Sequence, residues 1–321
     1  MRNYILRRLL IIIPEFIGIT IIAFFLFSLL GDPFAELQTN PFISPADIAA
    51  LQHMYGFDKP VVLRYFYWFF SLLRGNFGLS AVTGEPVLKM IGRALPITLS
   101  INIFTFAISL FAGIWIGFKS AVKQYSFFDH FFTGISYFGI AMPHFWFGLM
   151  LMILFSVKLH LLPPGGIMTP GMDTAPLLAR ILDRSKYLIM PIIVISLGSI
   201  AVWARYTRSS VLEMLRKDYV RTARAKGLKE KDVLKKHVFR NSLNPIITLF
   251  FLSLPGLLGG SAVVEQVFSI PGMGRLLIQA VMNNDYMVAM GGIIMYSFIL
   301  LLSLVVADIM YAYIDPRIKY S

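Results

Sequence analysis

The chain has 321 residues, of which 57% are hydrophobic, 14% aromatic and only 14% charged, with a net charge of +12. A typical soluble domain is about 45–50% apolar and about 25% charged, and one core of about 300 residues cannot bury so much apolar side chain. This composition argues against a soluble enzyme and excludes a disordered chain, collagen and a coiled coil. The absence of cysteine excludes disulfides, thiolate metal sites and a cysteine nucleophile.

Apolar runs of the length that spans a bilayer, about 20 residues, occur six times along the sequence. In chain order the predicted spans are Leu9–Leu30, Ile97–Phe118, Phe131–Val157, Tyr187–Tyr206, Pro245–Val267 and Tyr286–Tyr313. The second span is expected to begin after Pro96, and Pro255 interrupts the fifth. A further run, Val61–Leu73, is shorter and contains Arg64, so we expect it to be a helix in the membrane interface.

The first run has a basic start and an apolar body, as a signal peptide does. Its 22 residues are long for such a peptide, and Gly31-Asp32-Pro33 offers no small-residue cleavage site. We therefore expect an uncleaved signal anchor.

The distribution of Lys and Arg predicts the orientation, because cytoplasmic loops carry an excess of both. With both termini inside the cell, 19 of these residues lie in cytoplasmic segments and 10 in external ones. Counting Val61–Leu73 as a span would place the very basic segment 204–244 outside. The sequence therefore predicts an all-α membrane protein with six transmembrane helices, cytoplasmic N- and C-termini, and a sizeable extracytoplasmic region between spans 1 and 2.

The predicted organisation follows from these spans. It comprises a signal-anchor span (1–30), an extracytoplasmic region (31–96), a five-span core (97–313) that includes a cytoplasmic loop (204–244), and a cytoplasmic tail (314–321).

Motifs for nucleotide binding, catalysis and metal binding are missing from the sequence. Gly113 to Ser120 resembles a phosphate-binding loop, but its glycine spacing is one residue short and an extra residue precedes Lys119. The five histidines show no metal-ligand spacing, and no nucleophile elbow occurs. We predict a chain that is not itself an enzyme and that holds no cofactor or metal of its own.

Three carboxylates lie within the apolar runs, at Glu15, Glu265 and Asp308. A charge near the bilayer centre costs at least ~2.5–3.5 kcal/mol, and a carrier driven by ions needs such a group. Glu15 can reach the cytoplasmic face, and the other two lie near span ends. No Lys or Arg within a span is expected to pair with them. An ion-coupled secondary carrier stays as the less supported alternative.

The basic segment 204–244 predicts an elbow of two helices. Gly227 fits the left-handed position that ends a helix, and Leu228 is expected to pack back on Ala223. Glu230 then favours the start of a second, short helix. The apolar residues at helical spacing are Leu212, Leu215, Tyr219 and Ala223 in the first arm, and Val233, Leu234 and Val238 in the second. The elbow is either a docking site for another protein or a basic loop held by anionic lipid.

At this segment the chain resembles the B-type membrane-spanning subunits of ATP-binding-cassette (ABC) importers of the oligopeptide, dipeptide and nickel permease class. The matching motifs, in order, are Tyr4–Arg8, Gly31-Asp32-Pro33, Gly75–Ser80, Pro86-Val87, Leu95–Leu99, Phe145–Gly148, Leu162-Pro163, Tyr219–Leu228, Glu265–Arg275, Asn284–Tyr286, Asp308–Ala312 and Asp315–Arg317. Together these motifs cover nearly the whole chain.

The family motif of the cytoplasmic loop has the form E-A-A, three residues, then Gly. Here Arg221-Thr222-Ala223 stands in place of E-A-A, and Lys229 stands where a small N-cap residue is expected. The resemblance implies that the elbow docks on an ATPase subunit and that ATP-driven closure switches the pathway between outward and inward access. The implied coupling residues are Thr222, Ala223, Lys226, Gly227, Leu228 and Val233.

The resemblance also implies the cargo and the partners. The cargo would be dipeptides or oligopeptides, with nickel chelates or glutathione as alternatives of the same class. The partners would be a second homologous permease, ATPase subunits that bind ATP and Mg, an extracytoplasmic substrate-binding protein and membrane lipid, but no nucleic acid. The location would be the cytoplasmic (inner) membrane.

Helix-breaking residues in the fifth span admit two interpretations. They bend the helix around a transport cavity, or they let neighbouring helices pack closely. The residues are Pro255, Gly256, Gly259 and Gly260.

Overall fold

The computed structural model describes residues 2–29, 44–54, 56, 58–259 and 261–314. Gly31-Asp32-Pro33, Gly260 and the tail after residue 314 lie outside the described residues. The described part is helical, and its extended backbone is limited to an isolated bridge between Leu79 and Pro86.

The helices follow one another with short connections. They are α1 (Arg2–Leu29), α2 (Pro45–Met54), α3 (Val61–Leu73), α4 (Val87–Val122), α5 (Phe127–Ala141), α6 (His144–Met152), α7 (Leu177–Leu215), α8 (Asp218–Ala225), α9 (Glu230–Asp232), α10 (Arg240–Ser253), α11 (Gly256–Gly259), α12 (Ala262–Val267), α13 (Met273–Met282) and α14 (Tyr286–Ile314). A π-helical segment, Ile153–Lys158, extends α6, and another, Val233–Phe239, joins α9 to α10.

Four helices of the described part are long and apolar enough to cross a membrane, and they contain predicted spans 1, 2, 4 and 6. These spans are Leu6–Leu29, Val87–Val122, Leu177–Leu215 and Tyr286–Met310. Two of them are longer than predicted: α4 has 36 residues and α7 has 39. At 1.5 Å per residue each runs for more than about 50 Å, well beyond a bilayer core of about 30 Å.

Pro96 lies inside α4 rather than at its start, which corrects the predicted entry of span 2. The helix begins ten residues earlier than Ile97, at Val87. Val87, Ile91 and Ala94 are buried in one apolar cluster with residues of α13 and α14. Tertiary packing on this first part therefore sustains the helix across the proline.

The third and fifth predicted spans are not single helices. The helix α5 and the extended α6 meet at a bend of 103°, where Met142 is extended because Pro143 follows it. The fifth predicted span is divided into α10, α11 and α12, with breaks at Pro255 and before Ser261. The short helix predicted over Val61–Leu73 is confirmed with the same bounds.

The chain divides into two compact units, Met1–Thr98 with Pro271–Ser321, and Leu99–Ile270. In the first unit α1 packs on α14, where the Phe16 and Phe298 rings meet edge to face at 5.8 Å. Near the other end of this pair the Arg8 Nε atom lies 3.2 Å from Asp308. The expectation that Asp308 has no basic partner was therefore wrong, because α1 and α14 bring together residues from opposite ends of the chain.

Asp285 organises the start of α14 in the first unit. Its carboxylate accepts hydrogen bonds from the Ser80 hydroxyl and, at 3.2 Å, from the Ala81 amide. Asn284 before it has φ +54° and ends α13, and the Asp285 amide donates to the Ala280 carbonyl at 2.7 Å. Two of the motifs that carry the family resemblance, Gly75–Ser80 and Asn284–Tyr286, thus meet through Ser80 and Asp285.

In the second unit α7 is the central helix, and α4 crosses it at Gly113 and Gly117. A Cβ atom at Gly117 would lie 2.7 Å from Cβ of Thr207, and one at Gly113 would lie 3.1 Å from the Ala204 nitrogen. Real Cβ atoms do not approach other atoms so closely. The glycines that resemble a phosphate-binding loop therefore serve a close helix crossing.

Candidate functional site

The candidate site is the elbow, Asp218–Phe239, which connects α7 to α10 in the second unit. Its first arm ends at Gly227, whose φ is +77°. The Leu228 amide donates to the Ala223 carbonyl at 3.4 Å, and the Gly227 amide donates to the Arg224 carbonyl at 2.9 Å. These two bonds form a Schellman motif, so the predicted glycine turn is confirmed.

The first arm is not continuous with α7, as the apolar pattern had predicted. The long helix ends at Leu215, and Lys217 is the extended residue before α8. Through this break Val220 and Ala223 turn back onto Val211. A straight continuation of α7 would leave both side chains without that packing.

The elbow has its own buried core. Valines from both arms and from α7 are fully buried together with Ala121 at the end of α4. The buried members of this cluster are Ala121, Val211, Val220, Ala223, Val233 and Val238. Because this core includes residues of α4 and α7, a force on the elbow is transmitted directly to two membrane-spanning helices.

An ion pair joins the two arms across the glycine turn. The Arg224 guanidinium donates from Nε and from a terminal nitrogen to the two Glu230 oxygens, at 3.0 and 2.7 Å. The hydrogen bond from Arg224 lowers the pKa of Glu230, and the bond to Glu230 raises the pKa of Arg224. The sequence analysis missed this pair, although opposite charges on either side of a turn glycine are a signal for it.

The predicted coupling residues divide into an outer and an inner set. The side chains of Thr222, Lys226 and Leu228 are exposed, as is Gly227 at the tip. The side chain of Leu228 is 45% exposed and does not bury itself on Ala223 as expected, so only its backbone closes the turn. Exposed residues at the tip are the ones that another protein can contact.

The inner set, Ala223 and Val233, is 5% and 0% exposed. These two residues hold the arms together rather than present a surface. The second arm is also not a short helix, because α9 passes through the π-helical segment into α10 without a break. The elbow is therefore continuous with the helix that forms the fifth predicted span.

A cavity of about 770 Å³ lies beside the elbow between α4, α5 and α7. Hydroxyl and basic side chains line its polar part, among them Thr133, Ser136, Tyr137 and Arg205. Such a lining offers hydrogen-bond donors to a polar molecule. The sequence analysis did not find this cavity, because its residues come from three helices that no local pattern joins.

Arg208 at the edge of this cavity is held by Asp129. Its guanidinium donates to both carboxylate oxygens, at 2.8 Å each. Asp129 is 3% exposed and also accepts from the Tyr125 amide at 3.0 Å. A two-pronged bond of this kind fixes the end of α5 against α7. An acidic residue shortly after the N-cap Ser126 is the sequence signal for it.

The broken fifth span is stabilised from α4. The Asn102 side-chain amide donates to the Leu257 carbonyl at 2.6 Å, which satisfies a backbone group that the break leaves without a helical partner. Pro255 is buried, whereas Gly256 is exposed and has open space where a Cβ would lie. The structure therefore supports a bend at Pro255–Gly256 and shows no close packing at Gly256, and irregular backbone of this kind is tolerated where protein surrounds it.

Two family models match the chain. "Binding-protein-dependent transport system inner membrane component" matches residues 109–320, and the N-terminal model "Binding-prot-dependent transport system membrane comp, N-term" matches residues 1–102.

Curated relatives are similar over the whole length of both chains. The oligopeptide transport system permease protein AppB of Bacillus subtilis is 41% identical. The di/tripeptide transport system permease protein DppB of Pseudomonas aeruginosa is 38% identical, and the dipeptide permease protein DppB of Escherichia coli K12 is 36% identical.

Among solved structures, the MetNI methionine ABC transporter in an inward facing conformation contains a chain of similar fold. The TM-score is 0.52 at 16% identity, and the match covers 72% of this chain and 99% of the other. At this identity the likeness shows a shared fold.

Proposed function

The chain belongs to the family of binding-protein-dependent transport system inner membrane components, and from this we propose that it moves dipeptides and oligopeptides inward as one permease subunit of an ABC importer. It is a multi-pass protein of the cell membrane. The observation that carries the proposed cargo is the full-length similarity to permeases named for oligopeptides, di/tripeptides and dipeptides.

The proposed topology has six crossings with both termini in the cytoplasm. Four are the long helices α1, α4, α7 and α14. The fifth is the bent pair of α5 and α6, and the sixth is the interrupted segment from α10 to α12. In this arrangement residues 31–96 lie outside the cell and the elbow lies inside. The excess of Lys and Arg in 204–244 supports this orientation.

The proposed coupling step takes place at the elbow tip. An ATPase subunit docks on the exposed residues Thr222, Lys226, Gly227 and Leu228, and it supplies the ATP and Mg sites that this chain is not expected to hold. The buried contacts of Ala223 and Val233 then carry the movement to α4 and α7. Alternating access follows when these helices move against a second, homologous permease.

The proposed path of the peptide uses the polar cavity and the bent fifth span. Arg205 and the hydroxyl groups beside it offer hydrogen bonds to a peptide that has lost its water. An extracytoplasmic binding protein delivers the peptide to the region between spans 1 and 2. Peptides are favoured over nickel chelates or glutathione because the printed relatives are peptide permeases.

The experiment begins with mild extraction of the tagged chain from its native membrane and mass spectrometry of the proteins that co-purify. The complex is then placed in proteoliposomes with ATP inside, and uptake of a labelled tripeptide is measured against unlabelled peptide, a nickel chelate and glutathione. An ATPase and a second permease in the complex, together with ATP-dependent uptake blocked by peptide, support the proposal. Uptake that follows a proton or sodium gradient and ignores ATP would overturn it.

A further inference from the structure

An apolar groove of about 630 Å³ lies between the end of α4 and the second arm of the elbow. Its wall is aromatic and comes from both sides. Phe111, Trp115 and Phe118 belong to α4, and Phe239 belongs to the π-helical segment. The Phe118 and Phe239 rings meet edge to face at 5.2 Å, so the two walls are held together at the base of the groove.

The aromatic wall is open to the surroundings of the chain. Phe111 is 72% exposed and Trp115 is 56% exposed. Both lie on a helix that is long and apolar enough to span the membrane. Large apolar side chains on such a helix face either lipid or another protein.

The rim of the groove is cationic. Lys231 and Lys235 line it one helical turn apart, whereas the next lysine, Lys236, pairs with Asp232 at 3.8 Å. Among the described ion pairs, neither rim lysine has a carboxylate partner. A third cation is close by, because the Lys119 ammonium lies 4.7 Å from the centre of the Trp115 ring.

We propose that this groove binds an anionic phospholipid of the cytoplasmic leaflet. An aromatic channel that ends at two unpaired ammonium groups matches a molecule with an apolar chain and a phosphate head. The acyl chain lies along Phe111 and Trp115, and the phosphate meets Lys231 and Lys235. Lysines close to an anionic membrane surface strengthen binding by about fivefold each.

The occupant is a lipid rather than the ATPase, because the tip residues of the elbow are not part of the groove. Neither Gly227 nor Leu228 lines it, so docking at the tip leaves the groove accessible from the membrane. The inference goes beyond the proposed transport function, since it needs neither ATP nor peptide. A lipid in this place would bridge α4 and the second arm and so support the elbow.

Trp115 provides the probe for the test. The full chain is reconstituted into phosphatidylcholine vesicles that contain a minor fraction of either brominated phosphatidylglycerol or brominated phosphatidylcholine, and quenching of tryptophan fluorescence is measured. The difference between the wild type and Trp115→Phe isolates the signal from the groove. We expect several-fold stronger quenching of Trp115 by the anionic lipid, and we expect high salt to weaken that preference.

Matched variants separate the groove from a general attraction to the basic elbow. Lys231→Gln/Lys235→Gln should abolish the preference for the anionic lipid, whereas Lys226→Gln/Lys229→Gln, with the same change of charge at the tip, should keep it. Equal quenching by both lipids, or a preference that only the tip variant removes, would contradict the proposal. So would a Trp115 that neither lipid quenches, because a protein would then cover the groove.

Discussion

Gly227 holds a backbone conformation that side chains with a branched Cβ avoid. Its φ is +77°, and the space where a Cβ would lie is open, so only the backbone constrains the position. The bonds that close the turn bring Leu228 and Lys229 to the tip of the elbow. At the scale of single residues, the proposed coupling therefore depends on a conformation rather than on a contact.

Gly227→Val is expected to abolish uptake while the protein still inserts into the membrane, because the left-handed conformation costs a residue with a Cβ about 1–2 kcal/mol. Uptake of labelled peptide and the level of protein in the membrane are measured together. Gly171→Val is the matched control, since Gly171 also has a positive φ, +87°, and open space, but lies outside the elbow. Full uptake by a normally expressed Gly227→Val would remove the turn from the mechanism.

Glu230 and Arg224 should make the elbow sensitive to acid. The pKa of Glu230 is lowered in the folded chain by its hydrogen bond from Arg224. The ion pair therefore contributes fully above the ordinary pKa of a glutamate, about 4.3, and its contribution is lost as the pH falls through the lowered value. Hydrogen exchange of the Gly227 and Leu228 amides, corrected for the intrinsic rate, should accelerate only in acid.

At neutral pH, Glu230→Gln should produce the same faster exchange. Asp232→Asn is the control, because Asp232 pairs with Lys236 within one arm and does not bridge the turn. Equal exchange in the wild type and Glu230→Gln would show that the ion pair does not hold the arms.

Asp129 and Arg208 form the strongest polar contact between α5 and α7. Asp129→Asn should lower the melting temperature of the detergent-solubilised chain, because it leaves the charge of Arg208 partly buried and unpaired. Breaking a buried ion pair costs about 3–5 kcal/mol, and we expect the lower end because the Arg208 side chain is 30% exposed. The double variant Asp129→Asn/Arg208→Gln should recover part of the loss. Additive effects of the two changes would argue against a direct pairing.

At the scale of elements, the crossing of α4 and α7 depends on the absence of side chains. Gly113 and Gly117 lie one helical turn apart, and each faces backbone or Cβ atoms of α7. The two helices carry the cavity lining and the elbow core, so their spacing determines the geometry of both.

Gly113→Ala and Gly117→Ala should each destabilise the chain, because the added methyl group must push α7 away. Gly134→Ala in α5 is the matched control. That glycine has open space around it, and Ala is favoured over Gly in a helix by about 1 kcal/mol. Thermal unfolding in detergent should rank Gly134→Ala at or above the wild type and the other two below it. A neutral Gly113→Ala would contradict the close crossing.

At the scale of the whole molecule, the proposed orientation can be tested on the native chain, because it contains no cysteine. Single cysteines at Asn76 and at Lys226, both exposed, are treated in intact cells with a maleimide that does not cross membranes. Asn76→Cys should be labelled from outside, and Lys226→Cys only after the cells are permeabilised. Labelling of both from the same side would mean an even number of crossings between them and would refute the six-span topology.

Local features of the sequence were sufficient for much of the fold. A hydropathic run, a positive φ at Gly227 and the bounds Val61–Leu73 depend on a few neighbouring residues, so the apolar helices and the glycine turn could be predicted without a structure. The bend before Pro143 has an equally local cause, although the predicted third span ran through it. The family membership rests on motifs that are readable in order along the chain.

Side-chain partners distant in the sequence were decided only by the tertiary structure. Arg8 with Asp308, Asp129 with Arg208 and Asn102 with Leu257 meet because helices pack, and no local pattern encodes which helix faces which. The same reason explains why Ala223 and Val233, expected as coupling residues, lie inside the elbow while Lys226 and Leu228 lie outside. The sequence by itself determined what the chain is made of and where it turns, since hydropathy and backbone preference act locally. Packing alone decided which polar groups are paired, since that depends on distances across the fold.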